Sequence, residues 1–227
     1  MNVAVIPARS GSKGFKDKNI ALINGVSLIE YAVRAAQSSK YINKIIISTD
    51  SEIYERIAIE AGAESLGLRP EELSNDEAKS VDVLADLLSH EALLNTELVV
   101  LLQPTSPIRT GEDIDRCICL AEESKESVVT VSKVEEPHPY KLKRIENGSI
   151  VPFIEGTTSE IDRQSLPNVF ELTGGVYVSS AEQILKNRTL FSSATKPIIV
   201  KPTVNIDSEA DFDYLKYLIN TCNVRLP

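Results

Sequence analysis

The sequence predicts an α/β protein with a mostly parallel sheet and helices on both faces. Short runs rich in Val and Ile, too short for helices, alternate with amphipathic helical stretches. That strand–helix–strand order calls for crossover connections, which build parallel sheets. Composition agrees: of 227 residues, 42% are hydrophobic and 25% charged, the balance of an ordinary globular chain long enough to bury a sizeable core.

Taken in order, "NVAVIPA", "KIIIST", "LVVLLQ" and "SVVTVS" read as buried strands. Between them, "SLIEYAVRAAQ" sets Leu28, Ile29, Ala32, Val33 and Ala36 on one helical face, and Ser27 with Glu30 forms a capping box. "SEIYERIAIEAG" is a helix with a glycine stop, "KSVDVLADLLSHEALL" a third helix, and "GEDIDRCICLAEES" a fourth, capped by Thr110. "SSAEQILKN" and "SEADFDYLKYLINT" supply the last two. The rhythm breaks over residues 134–172, which carry prolines, an Asn-Gly pair and short apolar pieces. This stretch reads as a protruding β-hairpin arm inserted in a single domain spanning 1–227, with Ile150, Val151, Phe153 and Ile154 still to bury.

Lys and Arg number 24 against 33 Asp and Glu, a net charge of −9. A polyanion would be repelled over most of such a surface, so nucleic acid and anionic membrane are not expected partners, and any anion site must be local. No apolar stretch approaches a membrane span or a secretory segment. Three cysteines make no closed disulfide framework and read as reduced thiols of a cytoplasmic protein; His90 and His138 are far apart, against zinc.

In parallel α/β sheets ligands sit at the carboxyl ends of the strands, and four such ends are unusual here. In "PARSGSKGFKDKN" (7–19), Gly11 and Gly14 free backbone N–H groups to turn toward an anion, and Arg9, Lys13 and Lys18 add full charges. The segment is neither a dinucleotide GxGxxG nor a P-loop; the alternative is a solvated basic turn, but basic residues after a buried strand in an acidic protein favour the anion site. In "LLQPTSPIRT" (101–110), Gln103, Thr105 and Ser106 follow a buried strand and are stiffened by Pro104 and Pro107; they suit sugar or base hydroxyls, or else a simple strand-to-helix connection with a cap. Arg163 suits a carboxylate by bidentate pairing, or a local ion pair with Glu160 or Asp162. Asp207, between the last strand and the last helix, suits Mg²⁺ or else a helix N-terminal charge, with Ser208 as cap.

Together and in this order, "IPARSGSKGFKDKNI", "IIISTD", "LRPEELSND", "LLQPTSPIRT", "RQSLP" and "NIDSEADF" resemble the acylneuraminate cytidylyltransferases, which include the CMP-sialic acid synthetases and relatives acting on legionaminic and pseudaminic acids. The resemblance spans nearly the whole chain. It implies a Rossmann-like nucleotidyltransferase fold with an inserted dimerisation arm, a homodimer, and transfer of CMP from CTP to a nonulosonic sugar acid with Mg²⁺ as cofactor. By position it assigns Ala8, Arg9, Ser12, Lys13, Lys18 and Asn19 to the CTP loop, with Arg69 and Ser80 on a second nucleotide edge. It assigns Gln103, Thr105, Arg163, Gln164 and Thr173 to the sugar, and Asp207 with Asn205 to the metal. Lys18, Arg9 and Asp207 would carry the chemistry, neutralising the α-phosphate, the triphosphate tail and the leaving group.

Two departures from the family pattern stand out. Where relatives commonly read Asp-x-Asp, this chain has Asn205 before Asp207, offering the metal a carbonyl oxygen with less charge. In "ELTGGVY", Glu171 and Thr173 replace residues of an Asn-Gly-Ala pattern, which implies a different sugar acid or a differently arranged pocket. The competing expectations are a cytidylyltransferase for an eight-carbon keto-acid sugar, and a weakly catalytic homologue that only binds nucleotide. A glycosyltransferase would want a mid-chain Asp-x-Asp, and "LLQPTSP" has none.

Overall fold

Strand formation begins at the first Val/Ile run. The computed structural model describes residues 1–11, 14–222 and 224–227. The first half lays down β1 (Asn2–Pro7), the small hairpin of β2 (Leu22–Ile23) and β3 (Val26–Ser27), α1 (Leu28–Gln37), β4 (Lys44–Ser48), α2 (Glu52–Ala61), β5 (Glu64–Ser65), α3 (Ser80–Leu88), β6 (Leu98–Leu101), α4 (Gly111–Ser124) and β7 (Val128–Val134). After these come the hairpin of β8 (Lys143–Glu146) and β9 (Ser149–Pro152), the long β10 (Val169–Ser180), α5 (Ala181–Asn187), β11 (Lys196–Val200) and α6 (Glu209–Cys222).

Seven strands pair in the order β11-β7-β10-β6-β1-β4-β5. β1 is parallel to β4 and β6, and β11 is parallel to β7, while β10 runs antiparallel to both its neighbours. The reversal follows from the excursion after β7. The chain leaves the sheet at Val134 and re-enters at Val169 directly opposite it, so β7 and β10 are the two sides of one long hairpin.

Alternation within the strands explains the two layers of helices. Ala4, Ile6, Val100 and Leu102 face α1, α2 and α4 through Ile29, Ala32, Val33, Tyr54, Ala58, Ile114 and Ile118. Val3, Val5, Val99 and Leu101 face α3 and α5 through Leu84, Ala85, Leu88 and Ile184. Sides this apolar must both be covered, and each fully buried Val, Leu or Ile contributes roughly 1.5–3 kcal/mol. A third cluster packs Phe212 and Leu215 of α6 with Val204 and Ile206 onto Leu28 and Tyr31 of α1, which brings the 204–207 segment beside the loop that follows β1. The expected capping box of Ser27 with Glu30 is present on α1, and the expected cap Thr110 on α4 proves to be a full box with Asp113.

Three details differ from expectation. The third helix ends at Leu88, and only a short 3₁₀ turn (Glu91–Leu93) follows, with the His90 ring accepting from the Ala92 N–H at 3.2 Å. β11, unanticipated, is a sheet-edge strand that tolerates Pro197 because one of its sides has no ladder to feed. In the excursion, the Asn147-Gly148 turn (φ 51° and 79°) closes β8 on β9, yet of the apolar residues expected to bury there Val151 is only half-buried and Ile150, Phe153 and Ile154 are exposed. Ile150 is 73% exposed and Phe153 58%, and Ile145 across the hairpin is 79% exposed.

The three cysteines are free thiols, Cys117 buried and Cys119 and Cys222 exposed. Burial, with Asp113 nearby, pushes Cys117 up to about 12, so it stays a thiol. Among the described residues no helix is long and apolar enough to cross a membrane.

Candidate active site

β1 and β6 lie side by side, but from β1 the chain first builds β4 and β5 on one flank and only then returns to β6 on the other. Connections that leave neighbouring strands in opposite directions open a crevice at their carboxyl ends. Here it is a cleft of about 440 Å³ whose walls include Pro7 at the end of β1 and Arg9 beyond it, and Gln103, Pro104 and Thr105 after β6.

The loop after β1 is tied down at both ends. The buried Ala8 donates its N–H to the Ser48 carbonyl at 2.9 Å, and Ser10 gives its N–H and hydroxyl to the two Asp50 oxygens at 2.8 and 2.9 Å. At the far end Asp17, in the left-handed region at φ 55°, accepts the Tyr54 hydroxyl at 2.9 Å. Burial, then that hydrogen bond and the Asp17 charge, raise the Tyr54 pKa, so the phenol stays a donor. Asn19, buried, donates its amide to the Arg9 carbonyl at 3.1 Å and bridges the two ends. Gly14 packs closely on the facing segment: a Cβ there would lie 2.6 Å from the Asp207 carbonyl oxygen. Ser12 and Lys13, assigned to the nucleotide by sequence, lie outside the described residues.

Among the described residues, each cation of the cleft already has a partner. Arg9 pairs with Asp76 at 2.6 Å. Lys18 reaches across to Asp207 Oδ1 at 2.8 Å and to the Ile206 carbonyl at 2.9 Å. Arg69 lies against the end of β4, donating from Nε to Ser48 Oγ at 3.0 Å and from a terminal nitrogen to the Ser48 carbonyl at 2.5 Å. Burial pushes the Arg69 pKa down; Asp50 opposes this and nearby Arg9 adds to it. Ser80, in the first turn of α3, lines the same cleft.

Opposite the loop, the Ile206 N–H donates to the Thr105 carbonyl at 2.8 Å, docking the 204–207 segment on the proline-rich turn. Asn205 accepts from the buried Ser106 hydroxyl at 3.1 Å and donates its amide to Asp207 Oδ2 at 2.9 Å. Ser208 and Asp211 cap α6 reciprocally, at 2.8 and 3.3 Å, so the cap does not consume the Asp207 side chain. Among the described residues the carboxylates lining the cleft are Asp76 and Asp207, and no group of three or more His, Cys, Asp or Glu is placed to hold a metal. One available carboxylate suits a Mg²⁺ that keeps water and phosphate ligands; it does not suit an ion caged by protein.

Arg9, Lys18, Asn19, Arg69, Ser80, Gln103, Thr105 and Asp207 thus meet in one cleft. Arg163 and Gln164 do not join it. They line a separate cavity of about 330 Å³ beside Lys133 and His138 at the base of the arm. There Arg163 pairs with Glu136, Nε to Oε1 at 2.9 Å and a second nitrogen to the same oxygen, rather than with Glu160 or Asp162. That hydrogen bond holds the Glu136 carboxyl below its usual range and raises Arg163. Thr173 is buried in the sheet with its hydroxyl on Thr130 Oγ1 at 2.7 Å, and Glu171 accepts from Ser132 at 3.0 Å. Contact with the cleft passes instead to Gly174, where the β10 register breaks: at φ +71°, a Cβ would lie 2.5 Å from Ser106 Oγ and 2.8 Å from Gln103 Oε1.

Sequence reasoning gave no role to Arg109. It is buried, and its two terminal nitrogens donate to the Gly175 carbonyl at 2.6 Å and the Gln103 carbonyl at 2.5 Å, stapling the proline-rich turn to β10. Its Nε has no hydrogen-bond partner among the described residues, and burial pushes its pKa down to about 9. Asp50 and Asp76 were likewise missed; a lone acidic residue after a strand or a turn carries no spacing signal.

A protein-family model described as cytidylyltransferase matches residues 3–147. The chain is 32% identical over 215 residues to a CMP-N,N'-diacetyllegionaminic acid synthase of Legionella pneumophila, covering 92% of each chain. It is 29% identical to post-translational flagellin modification protein B of Campylobacter coli, over 98% of this chain and 97% of that one. It is 32% identical to an N-acylneuraminate cytidylyltransferase of Streptococcus agalactiae, over 94% of this chain and 51% of the relative. In three dimensions it is similar to a CMP:2-keto-3-deoxy-manno-octonic acid synthetase complexed with CTP, with a TM-score of 0.72 at 15% identity, covering 96% of this chain and 98% of the other. At that identity the likeness is one of fold.

Proposed function

Because the chain belongs to the cytidylyltransferase family, we propose that it transfers CMP from CTP to the anomeric hydroxyl of a nonulosonic sugar acid and releases pyrophosphate. The observation that carries this reading is the cleft at the β1/β6 switch point, where Arg9, Lys18 and Arg69 stand opposite the amide and hydroxyl of Gln103 and Thr105. Cations on one wall suit a triphosphate, and neutral hydrogen-bonding groups on the other suit hydroxyls. In the reaction the anomeric oxygen bonds to the α-phosphorus as the bond to the pyrophosphate oxygen breaks, and the hydroxyl proton passes to water. The protein's part is to align the two reactants and to offset charge. In this reading Lys18 exchanges Asp207 for the α-phosphate, and Arg9 exchanges Asp76 for the tail.

The reading includes Mg²⁺ as cofactor, with Asp207 as the residue that would hold it; such an ion, when bound, supplies neutralisation of the leaving pyrophosphate. It includes a homodimer, supported by the exposed apolar arm residues Ile145, Ile150 and Phe153. It includes a reducing cytoplasmic compartment, supported by three free thiols. The test is incubation with CTP, Mg²⁺ and a panel of nonulosonic and eight-carbon keto-acid sugars, with the product identified by mass. A CMP-linked nonulosonic acid is expected. A product only from the eight-carbon acid would change the substrate, and CTP binding without any pyrophosphate release would overturn the reading.

A further inference from the structure

Resting on the cytidylyl-transfer reading, we propose that Asn205 is a positioning residue for Asp207 and not a metal ligand, so that the protein acquires its divalent cation only together with a nucleoside triphosphate. The Asn205 side chain lies between the Ser106 hydroxyl and the Asp207 carboxylate. The carboxylate decides which way the amide faces. An ionised carboxylate can only accept, so the group 2.9 Å from Asp207 Oδ2 is the NH₂, whereas the Ser106 hydroxyl tolerates either end. Asparagine ligates hard cations through its carbonyl oxygen. Here that oxygen turns away from Asp207 and accepts from Ser106, which is fully buried.

The other Asp207 oxygen points the same way. It carries the Lys18 ammonium at 2.8 Å, and Lys18 is anchored a second time on the Ile206 carbonyl at 2.9 Å. A cation arriving alone meets one carboxylate already neutralised by an ammonium, with an amide donor on its second oxygen. Hard cations are held by accumulated negative charge, and this arrangement offers none in excess. A triphosphate changes both conditions, since it brings anionic oxygens of its own and offers Lys18 a competing partner. Asn205 meanwhile keeps the Asp207 carboxylate fixed by Oδ2, with Oδ1 turned to the loop that carries Lys18. An aspartate at 205 would instead set two carboxylates face to face, a pair that draws in a cation or a proton.

The experiment titrates Mn²⁺ alone, read as free Mn²⁺ by electron paramagnetic resonance, into wild type, Asn205→Asp and Asn205→Ala, each with and without CTP and with no sugar acid. Thermal unfolding verifies the fold of each. Wild type should show no saturable Mn²⁺ binding below about 1 mM without CTP and clear binding with it. Asn205→Asp should tighten nucleotide-free binding by at least roughly tenfold. Asn205→Ala should leave Mn²⁺ affinity in the CTP complex within about threefold while lowering kcat with little change in the KM for CTP. Micromolar Mn²⁺ binding by nucleotide-free wild type would overturn the proposal. So would a tenfold loss of Mn²⁺ affinity in the CTP complex of Asn205→Ala, which alone decides the matter if the aspartate variant does not fold. Pyrophosphate release from wild type is measured in parallel. No turnover with any sugar acid would sink the transfer reading and still leave the Mn²⁺ titrations to judge Asn205.

Discussion

Lys18 joins the two walls of the cleft through Asp207 and the Ile206 carbonyl, and in the proposed reaction it meets the α-phosphate. Removing one preorganised charge of this kind typically raises a barrier by ~2.7–4 kcal/mol, or 10²–10³ in kcat. Lys18→Ala is therefore expected to lose that much pyrophosphate release with its circular dichroism unchanged, and near-normal turnover would remove Lys18 from the chemistry. Arg109 acts on stability instead. A lysine there cannot fork to the Gln103 and Gly175 carbonyls together, so Arg109→Lys should lose about 2–3 kcal/mol through a carbonyl left without its charged donor. Thermal unfolding would read this as a fall of roughly 4–12 °C. A guanidinium whose pKa is held down to about 9 in the fold lowers stability wherever it is charged. That cost is present in full at neutral pH, where the hydrogen bonds to the Gln103 and Gly175 carbonyls offset it. The contrast between these residues explains what sequence revealed. Arg9 and Lys18 stand out because glycines and charge cluster in an otherwise acidic chain. Arg109 looks like any surface arginine until the carbonyls around it are known, and nothing in "EIDRQSLP" tells that Arg163 meets Glu136 across the base of the arm.

At the scale of elements, local chemistry was legible and edges were not. Caps are written in a few consecutive residues, so the Ser27–Glu30 box and Thr110 as the cap of α4 could be read directly, while the part of Asp113 came from the structure. Thr110→Ala removes the side chain that accepts from the Asp113 N–H at 3.1 Å and should lower stability by about 1 kcal/mol, measured by urea unfolding. A change under 0.3 kcal/mol would mean that tertiary packing of Ile114 and Ile118 alone sets the start of α4. β11 escaped because it is an edge strand with a proline and with exposed positions, so neither a continuous apolar run nor clean alternation marks it. The antiparallel sense of β10 also escaped, because strand direction depends on where the preceding excursion ends, and periodicity carries no such information.

At the scale of the whole molecule, the nucleotide end is built from one continuous sheet, and the 135–168 excursion hangs from two facing residues, Val134 and Val169. If the exposed Ile145, Ile150 and Phe153 meet a second copy, replacing 135–168 by an Asn-Gly turn should give a monomer by light scattering that still unfolds cooperatively and binds CTP. A dimer that survives the replacement would place the interface elsewhere. The same attachment has a bearing on how such a protein can change over generations. A loop pinned at the two ends of one rung of a ladder loses closure entropy only logarithmically with its length, about 0.6 kcal/mol per doubling. Insertions, deletions and wholesale exchange between Val134 and Val169 therefore leave the sheet nearly untouched, and the excursion can drift in size and sequence while the loop after β1 stays under the constraints of its close contacts.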